Sequence, residues 1–279
     1  MEAIKDQQIN YFTKLLVSEP PKNRQKEQII QDYLESHSDM IPLNMILNHN
    51  VLYDFIFSKL PINSSCISDL CYITKSSVEY RIVLIELESP DKKIFTNNLS
   101  KMIFSSEFNA ALQQIRDWKI SLENDKSEIL RILSPMLRMQ REYNDPISFA
   151  YQLIIGRSFE YSNNEKKKKN ILKIKEETDI DIMTYDSLIN WYKNDYKNWY
   201  KNIIKYEKGR YSIKIMDAMQ QVFFANLTPA DISLTKKQRE LLILENYQIK
   251  DWENNIPLVV NCKYTSPEQL YKLENGHCT

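Results

Sequence analysis

Three carboxylates in the middle of this sequence have the types and spacing to do chemistry together. They are Asp69 and, in the run Ile85-Glu86-Leu87-Glu88-Ser89-Pro90, Glu86 and Glu88. Side chains alternate across a strand, so Glu86 and Glu88 project to one side while Ile85 and Leu87 project to the other. Asp69 opens a neighbouring β-rich run, and antiparallel pairing brings it toward the end of the Glu86 strand, depending on register. Carboxylates crowded together resist ionising at the same time. A hard divalent cation, Mg²⁺ or Mn²⁺, removes that penalty through oxygen ligands. It would also activate a water and neutralise charge on a phosphodiester. A solvated rim of strand-end acids is the alternative, and spacing alone favours it.

The elements that must position these acids are readable. Asp69-Leu70-Cys71-Tyr72-Ile73-Thr74 and Tyr80 to Glu86 are rich in β-branched and aromatic residues, with Lys75-Ser76-Ser77 as the polar break of a hairpin. Ile82-Val83-Leu84-Ile85 is apolar on both faces and suits a central strand covered on two sides. Helical spacing predicts helices over 23–37, 105–123 (Phe108, Ala111, Leu112, Ile115 and Trp118 as its stripe), 126–142 and 162–178. The stretches 151–157 and 180–184 read as strands, and Tyr185-Asp186 opens another helix. The run 43–60 is apolar and ambiguous. Beyond Lys201 the pattern weakens to a helix over Lys236 to Glu245 and a strand over Ile256 to Cys262. The fold class expected is α/β, a mixed central sheet flanked by helices. Residues 20–200 are expected to form the main domain and 201–279 a helical or mixed extension of unknown role.

Composition removes several function classes. The chain has only 3 glycines, too few for a phosphate loop or a dinucleotide fingerprint. The 37 basic and 37 acidic side chains cancel, which argues against a nucleic-acid coating protein while leaving room for one local patch. Cys66, Cys71, Cys262 and Cys278 form no CxxC pair and read as free structural thiols. His37, His49 and His277 form no metal-spaced pair, so a conventional zinc hydrolase is not expected; His37 reads as structural. The run Glu165-Lys166-Lys167-Lys168-Lys169 reads as a solvated basic helix face, with DNA contact as the alternative. Trp191, Tyr192, Tyr196, Trp199 and Tyr200 read as a packed helix or oligomer interface; the interleaved Lys193, Lys197 and Lys201 keep nucleic acid open. No basic start followed by an apolar stretch is present, and no run approaches about 18 apolar residues. The expected location is the cytoplasm, with no membrane contact.

A wider pattern bears on the acids. Ile85-Glu86-Leu87-Glu88-Ser89-Pro90 resembles the E-x-K-x-P stretch of the Shedu family, a branch of the PD-(D/E)XK nuclease superfamily. Glu27-Gln28-Ile29-Ile30-Gln31-Asp32-Tyr33-Leu34-Glu35 resembles the family's leading helix. Ala110 to Trp118 resembles its A-x-x-Q-x-x-x-Y/W helix. Ile154-Ile155-Gly156-Arg157 is similar to its "viiGR" strand, and Thr184-Tyr185-Asp186-Ser187-Leu188 to its "TYDdL" stretch. Together these cover roughly residues 25–190.

The resemblance implies a restriction-endonuclease-like (PD-(D/E)XK) core and a metal-dependent DNA endonuclease of prokaryotic anti-phage defence, one that assembles as a homo-oligomer. It implies that Asp69 and Glu86 bind Mg²⁺ or Mn²⁺, that Glu27 completes the site and that Gln114 lines it. Arg116 and Trp118 read as surface or packing residues. Glu88 stands where the family has lysine. Either Glu88 acts as base or extra ligand, or Lys92, Lys93 or Lys101 reaches back from the next segment. The alternative is a catalytically inactive nuclease-fold module that binds nucleic acid or a protein partner. A structural protein without nucleic-acid contact is the third reading, supported by zero net charge and the missing lysine.

Overall fold

The computed structural model describes residues 2–97, 102–137, 145–194, 200–217, 219, 223, 224, 227–256 and 258. Its centre is an eight-stranded mixed sheet. The strands are β1 Val51–Pro61, β2 Ile67–Lys75, β3 Tyr80–Leu87, β4 Ile147–Ile154, β5 Ile180–Met183, β6 Asn202–Glu207, β7 Arg210–Ile215 and β8 Ile232–Ser233. They lie in the order β5-β4-β3-β2-β1-β6-β7-β8. The helices are α1 Glu2–Val17, α2 Lys26–Ser36, α3 Ser106–Asn124, α4 Ser127–Leu137, α5 Glu165–Thr178, α6 Tyr185–Asn194, α7 Lys236–Leu244 and α8 Ile249–Glu253.

The expected hairpin is β2–β3, antiparallel, with Leu70 opposite Ile85 and Thr74 opposite Arg81. β3 then pairs in parallel with β4, and β4 with β5, through crossovers that carry α3, α4 and α5. β3 lies deep in the sheet, and alternation divides its apolar residues between two cores. Ile82 and Leu84 face one side with Phe108, Ala111, Leu112 and Ile115 of α3. Val83, Ile85 and Leu87 face the other with Phe12 of α1, Ile30 and Leu34 of α2, and Leu188 of α6. Trp118 is buried in the first core, so it packs, while Arg116 is exposed.

The apolar stretch 43–60 resolves into irregular chain followed by β1. Its periodicity is obscured because β1 is bulged between Val51 and Ile56, with Tyr53 and Asp54 at positive φ. The sequence also gives little warning of α1, whose apolar stripe (Ile9, Phe12, Leu16) is thin, or of the β6–β7 hairpin. That hairpin turns at Lys208-Gly209, both at positive φ. β6 pairs in parallel with β1 and adds β7 and β8 to the same sheet, so strands from both sides of residue 200 share it. Most of the strand expected over Ile256–Cys262 lies outside the described residues, as do Lys101, 138–142 of the helix expected over 126–142, Tyr196, Lys197, Trp199, Cys262, His277 and Cys278. No helix among the described residues is long and apolar enough to cross a membrane.

Candidate active site

The register that sets Leu70 against Ile85 puts Asp69, one residue on, level with Glu86. Across the other ladder, Ser58 opposes Leu70 and Leu60 opposes Ser68, which sets Lys59 level with Asp69. A row Lys59–Asp69–Glu86 therefore crosses three adjacent strands. Asp69 takes the Lys59 ammonium on Oδ1 and accepts the backbone N–H of Leu87 on Oδ2 at 2.7 Å.

Two helices frame this row. α3 is started by Ser105, whose hydroxyl accepts the Phe108 N–H at 3.0 Å. Its stripe is buried against β3, so Gln114 reaches the strand end and donates to Glu86 Oε1 at 2.5 Å. From the opposite side α2, anchored by Ile30 and Leu34, supplies Gln31 and Glu27. Gln31 donates to the Asp69 carbonyl at 3.1 Å and to Glu35 Oε1 at 3.0 Å. Glu27 accepts the Ser89 N–H at 3.1 Å.

The chain leaving β3 is held in place. The Glu88 N–H donates to the Ile154 carbonyl at 2.8 Å, and the Tyr185 hydroxyl donates to the Glu88 carbonyl at 2.7 Å. Gly156 lies at φ +62 with Lys92's carbonyl 2.7 Å from where a Cβ would stand, so only glycine admits the 89–92 loop here. Arg157 forks onto Asp186, with contacts of 2.8–3.1 Å, and ties the end of β4 to the start of α6. The result is that Lys92 turns back: its ammonium binds Glu88 and lies 3.3 Å from Glu27. Lys93 does not; it contacts Asn97.

Glu27, Asp69, Glu86, Glu88 and Gln114 thus line one cleft of about 480 Å³, together with Gln31, Lys59 and Lys92. Burial pushes the Glu86 carboxyl up to about 9, helped by the charges of Asp69 and Glu88 and opposed by Lys59 and Gln114. Burial also raises Asp69, against the pull of Lys59 and of the Leu87 amide, with Glu27 adding to the rise. Glu88 is raised by burial in spite of Lys92. Burial pulls Lys92 down, but its contacts with Glu88 and Glu27 outweigh that and leave it raised. A larger hollow of about 860 Å³ lies across the Pro90–Lys93 loop. Its acids are already engaged, Asp91 by Lys26 and Glu160 by the amides of Ile94 and Phe95.

No group of three or more His, Cys, Asp or Glu side chains among the described residues is arranged to hold a metal ion. The donors nevertheless suit a hard cation in kind. Glu86 Oε2 is buried without a hydrogen-bond partner, beside a second buried carboxylate. Mg²⁺ is commonly held by one or two carboxylates, with waters and substrate phosphate completing its shell.

Sequence reasoning missed Lys59, because its place opposite Asp69 depends on the irregular β1. Gln31 was part of a motif but carried no assigned role. His37 packs as a structural residue, stacked on Tyr33 with ring centroids 4.1 Å apart. In the basic run of α5, Lys168 pairs with Glu165, and Lys167 binds the Glu160 carbonyl and lies over the Phe95 ring.

The fold and cleft define a helix-flanked α/β protein whose sheet gathers carboxylates and lysines at the end of a central strand. The model of the family described as Shedu protein SduA, C-terminal, matches residues 24–189, which hold every residue lining this cleft. The chain belongs to that family, and membership implies a part in anti-phage defence. A comparison with curated proteins finds no match.

Proposed function

We propose that the chain is a metal-dependent DNA endonuclease with a restriction-endonuclease-like, PD-(D/E)XK core, acting in the cytoplasm in defence against phage. The observation that carries this reading is Glu86. It is a buried carboxyl, one oxygen fixed by Gln114 and the other without a partner, set beside Asp69 in the lining of a polar cleft. An acid held this way favours protonation until a cation arrives, and leaves an oxygen ready for one. Asp69 and Glu86 would hold Mg²⁺ or Mn²⁺, which supplies an activated water and neutralises charge on the phosphodiester.

The chain's own residues do the rest. Gln114 orients Glu86. Gln31 fixes the backbone at Asp69. Glu27, through the Ser89 amide and Lys92, fixes the segment that carries Glu88. Lys92 cancels the charge of Glu88, so the position where the family pattern has lysine is closer to neutral than the sequence suggests. Glu88 is then the acceptor for a proton of the attacking water. DNA and further copies of this chain are the proposed partners.

The test is purified protein with linear and circular DNA in Mg²⁺, Mn²⁺ or EDTA, beside Asp69→Ala and Glu86→Ala. Metal-dependent cutting lost in both variants is expected. A second reading, an inactive module that binds nucleic acid, is favoured by the pairs Lys59–Asp69 and Lys92–Glu88, which neutralise the cleft from within. Salt-sensitive DNA binding indifferent to EDTA, with no cutting on any substrate, would establish that reading instead.

A further inference from the structure

Asp69 has two oxygens, and both are taken. Oδ2 accepts from the Leu87 amide, part of the buried backbone of a central strand, and that donor is not free to leave. Oδ1 is held by Lys59, whose side chain is half exposed. Lys59 is kept at φ 51, a left-handed backbone conformation that is strained for a non-glycine residue. It persists because the pairs Ser58–Leu70 and Leu60–Ser68 pin β1 on either side of it. A cation arriving between Asp69 and the unpartnered Glu86 Oε2 therefore meets one removable obstacle, the tip of a flexible chain carrying a positive charge.

We propose that Lys59 is a resident counter-ion which occupies the cation's place on Asp69 in the free protein, and that binding of the divalent metal exchanges it out into the cleft. The proposal rests on the metal-dependent reading of the site. Lys92 takes no part in the exchange, because its ammonium is divided between Glu88 and Glu27. Once released, the Lys59 ammonium stands in the same cleft as a positive charge available to a phosphate, at a site whose motif lysine is replaced by glutamate.

The experiment follows lysine acylation in the intact chain, with and without Mn²⁺, by peptide mass spectrometry, beside a calorimetric Mn²⁺ titration of wild type and Lys59→Met. Acylation of Lys59 is expected to rise several-fold with Mn²⁺ while that of Lys92 stays level. Glu86→Gln, which removes a ligand, should abolish the rise. Lys59→Met should bind Mn²⁺ about five- to tenfold tighter, the range for loss of one competing, partly screened charge. A rise in acylation without that gain still supports the exchange, with a weak ion pair. Tighter binding with Lys59 acylation unchanged is the long-range effect of removing a charge and overturns it. If calorimetry shows no Mn²⁺ bound to wild type, the metal reading itself falls and takes the exchange with it; wild type that binds Mn²⁺ with Lys59 unmoved sinks the exchange alone.

Discussion

Glu86→Gln should make the protein more stable while removing its proposed chemistry. In the unfolded chain the Glu86 carboxyl titrates at its ordinary 4.5; in the fold it holds its proton to about 9. Between those values the unfolded state binds fewer protons than the native state, so stability falls as pH rises through this window. At pH 7.5 the gap from 4.5 is three pH units, and at about 1.4 kcal/mol per unit the penalty is at most about 4 kcal/mol. Asp69 and Glu88 share the proton balance with Glu86, which spreads that penalty over the group, so the single substitution should recover about 1–3 kcal/mol of it. Glutamine keeps its oxygen toward Gln114 and puts an uncharged amide where Oε2 has no partner. For a domain of 150–250 residues this raises Tm by about 2–12 °C. The assay is thermal unfolding in EDTA from pH 5 to pH 9. The gap between variant and wild type should be small at pH 5 and widen toward pH 8. A variant less stable than wild type at pH 8, or a gap independent of pH, would refute the reasoning.

Two other substitutions probe what supports the site. Lys214→Met leaves Glu35, which is 1% exposed, without its cation and should cost about 3–5 kcal/mol; the double variant with Glu35→Gln should recover much of it, read by urea unfolding. Gly156→Ala places a methyl group 2.7 Å from the Lys92 carbonyl at a positive φ, so it should cost about 2–3 kcal/mol in denaturant melts and reduce cutting by displacing the 89–92 loop.

The sheet centre is legible in the sequence because its signals are local and strong. The hairpin shows as two β-branched runs around Lys75-Ser76-Ser77, and α3 shows as an uninterrupted apolar stripe. What stays hidden depends on partners far along the chain. β1 carries a bulge and three residues at positive φ, so no two-residue period survives. Without β1 there is no register, and without register nothing sets Lys59 opposite Asp69. The acids themselves are visible as types and spacing. Their consequence, a partnerless oxygen on Glu86 and the choice of Lys92 over Lys93 as the lysine that reaches back, comes from packing that spacing does not encode. The motif residues Arg157, Tyr185 and Asp186 also gain a physical reason only in the fold, where Tyr185 holds the Glu88 carbonyl and the Arg157–Asp186 pair joins the end of β4 to the start of α6.

The chain beyond the family match contributes to this support as well. Lys214 of β7 binds Glu35, and Glu35 accepts from Gln31 and from Ser58, the neighbour of Lys59. Gln31 in turn donates to the Asp69 carbonyl. A carboxylate as buried as Glu35 is tolerated only with a cation and with its remaining lone pairs satisfied. The β6–β7 hairpin supplies that cation from a residue outside 24–189. Removing the hairpin would therefore expose more than a sheet edge. It would strand a buried charge on α2, the helix that fixes the backbone at Asp69, and so disturb the cleft from a segment that does not line it.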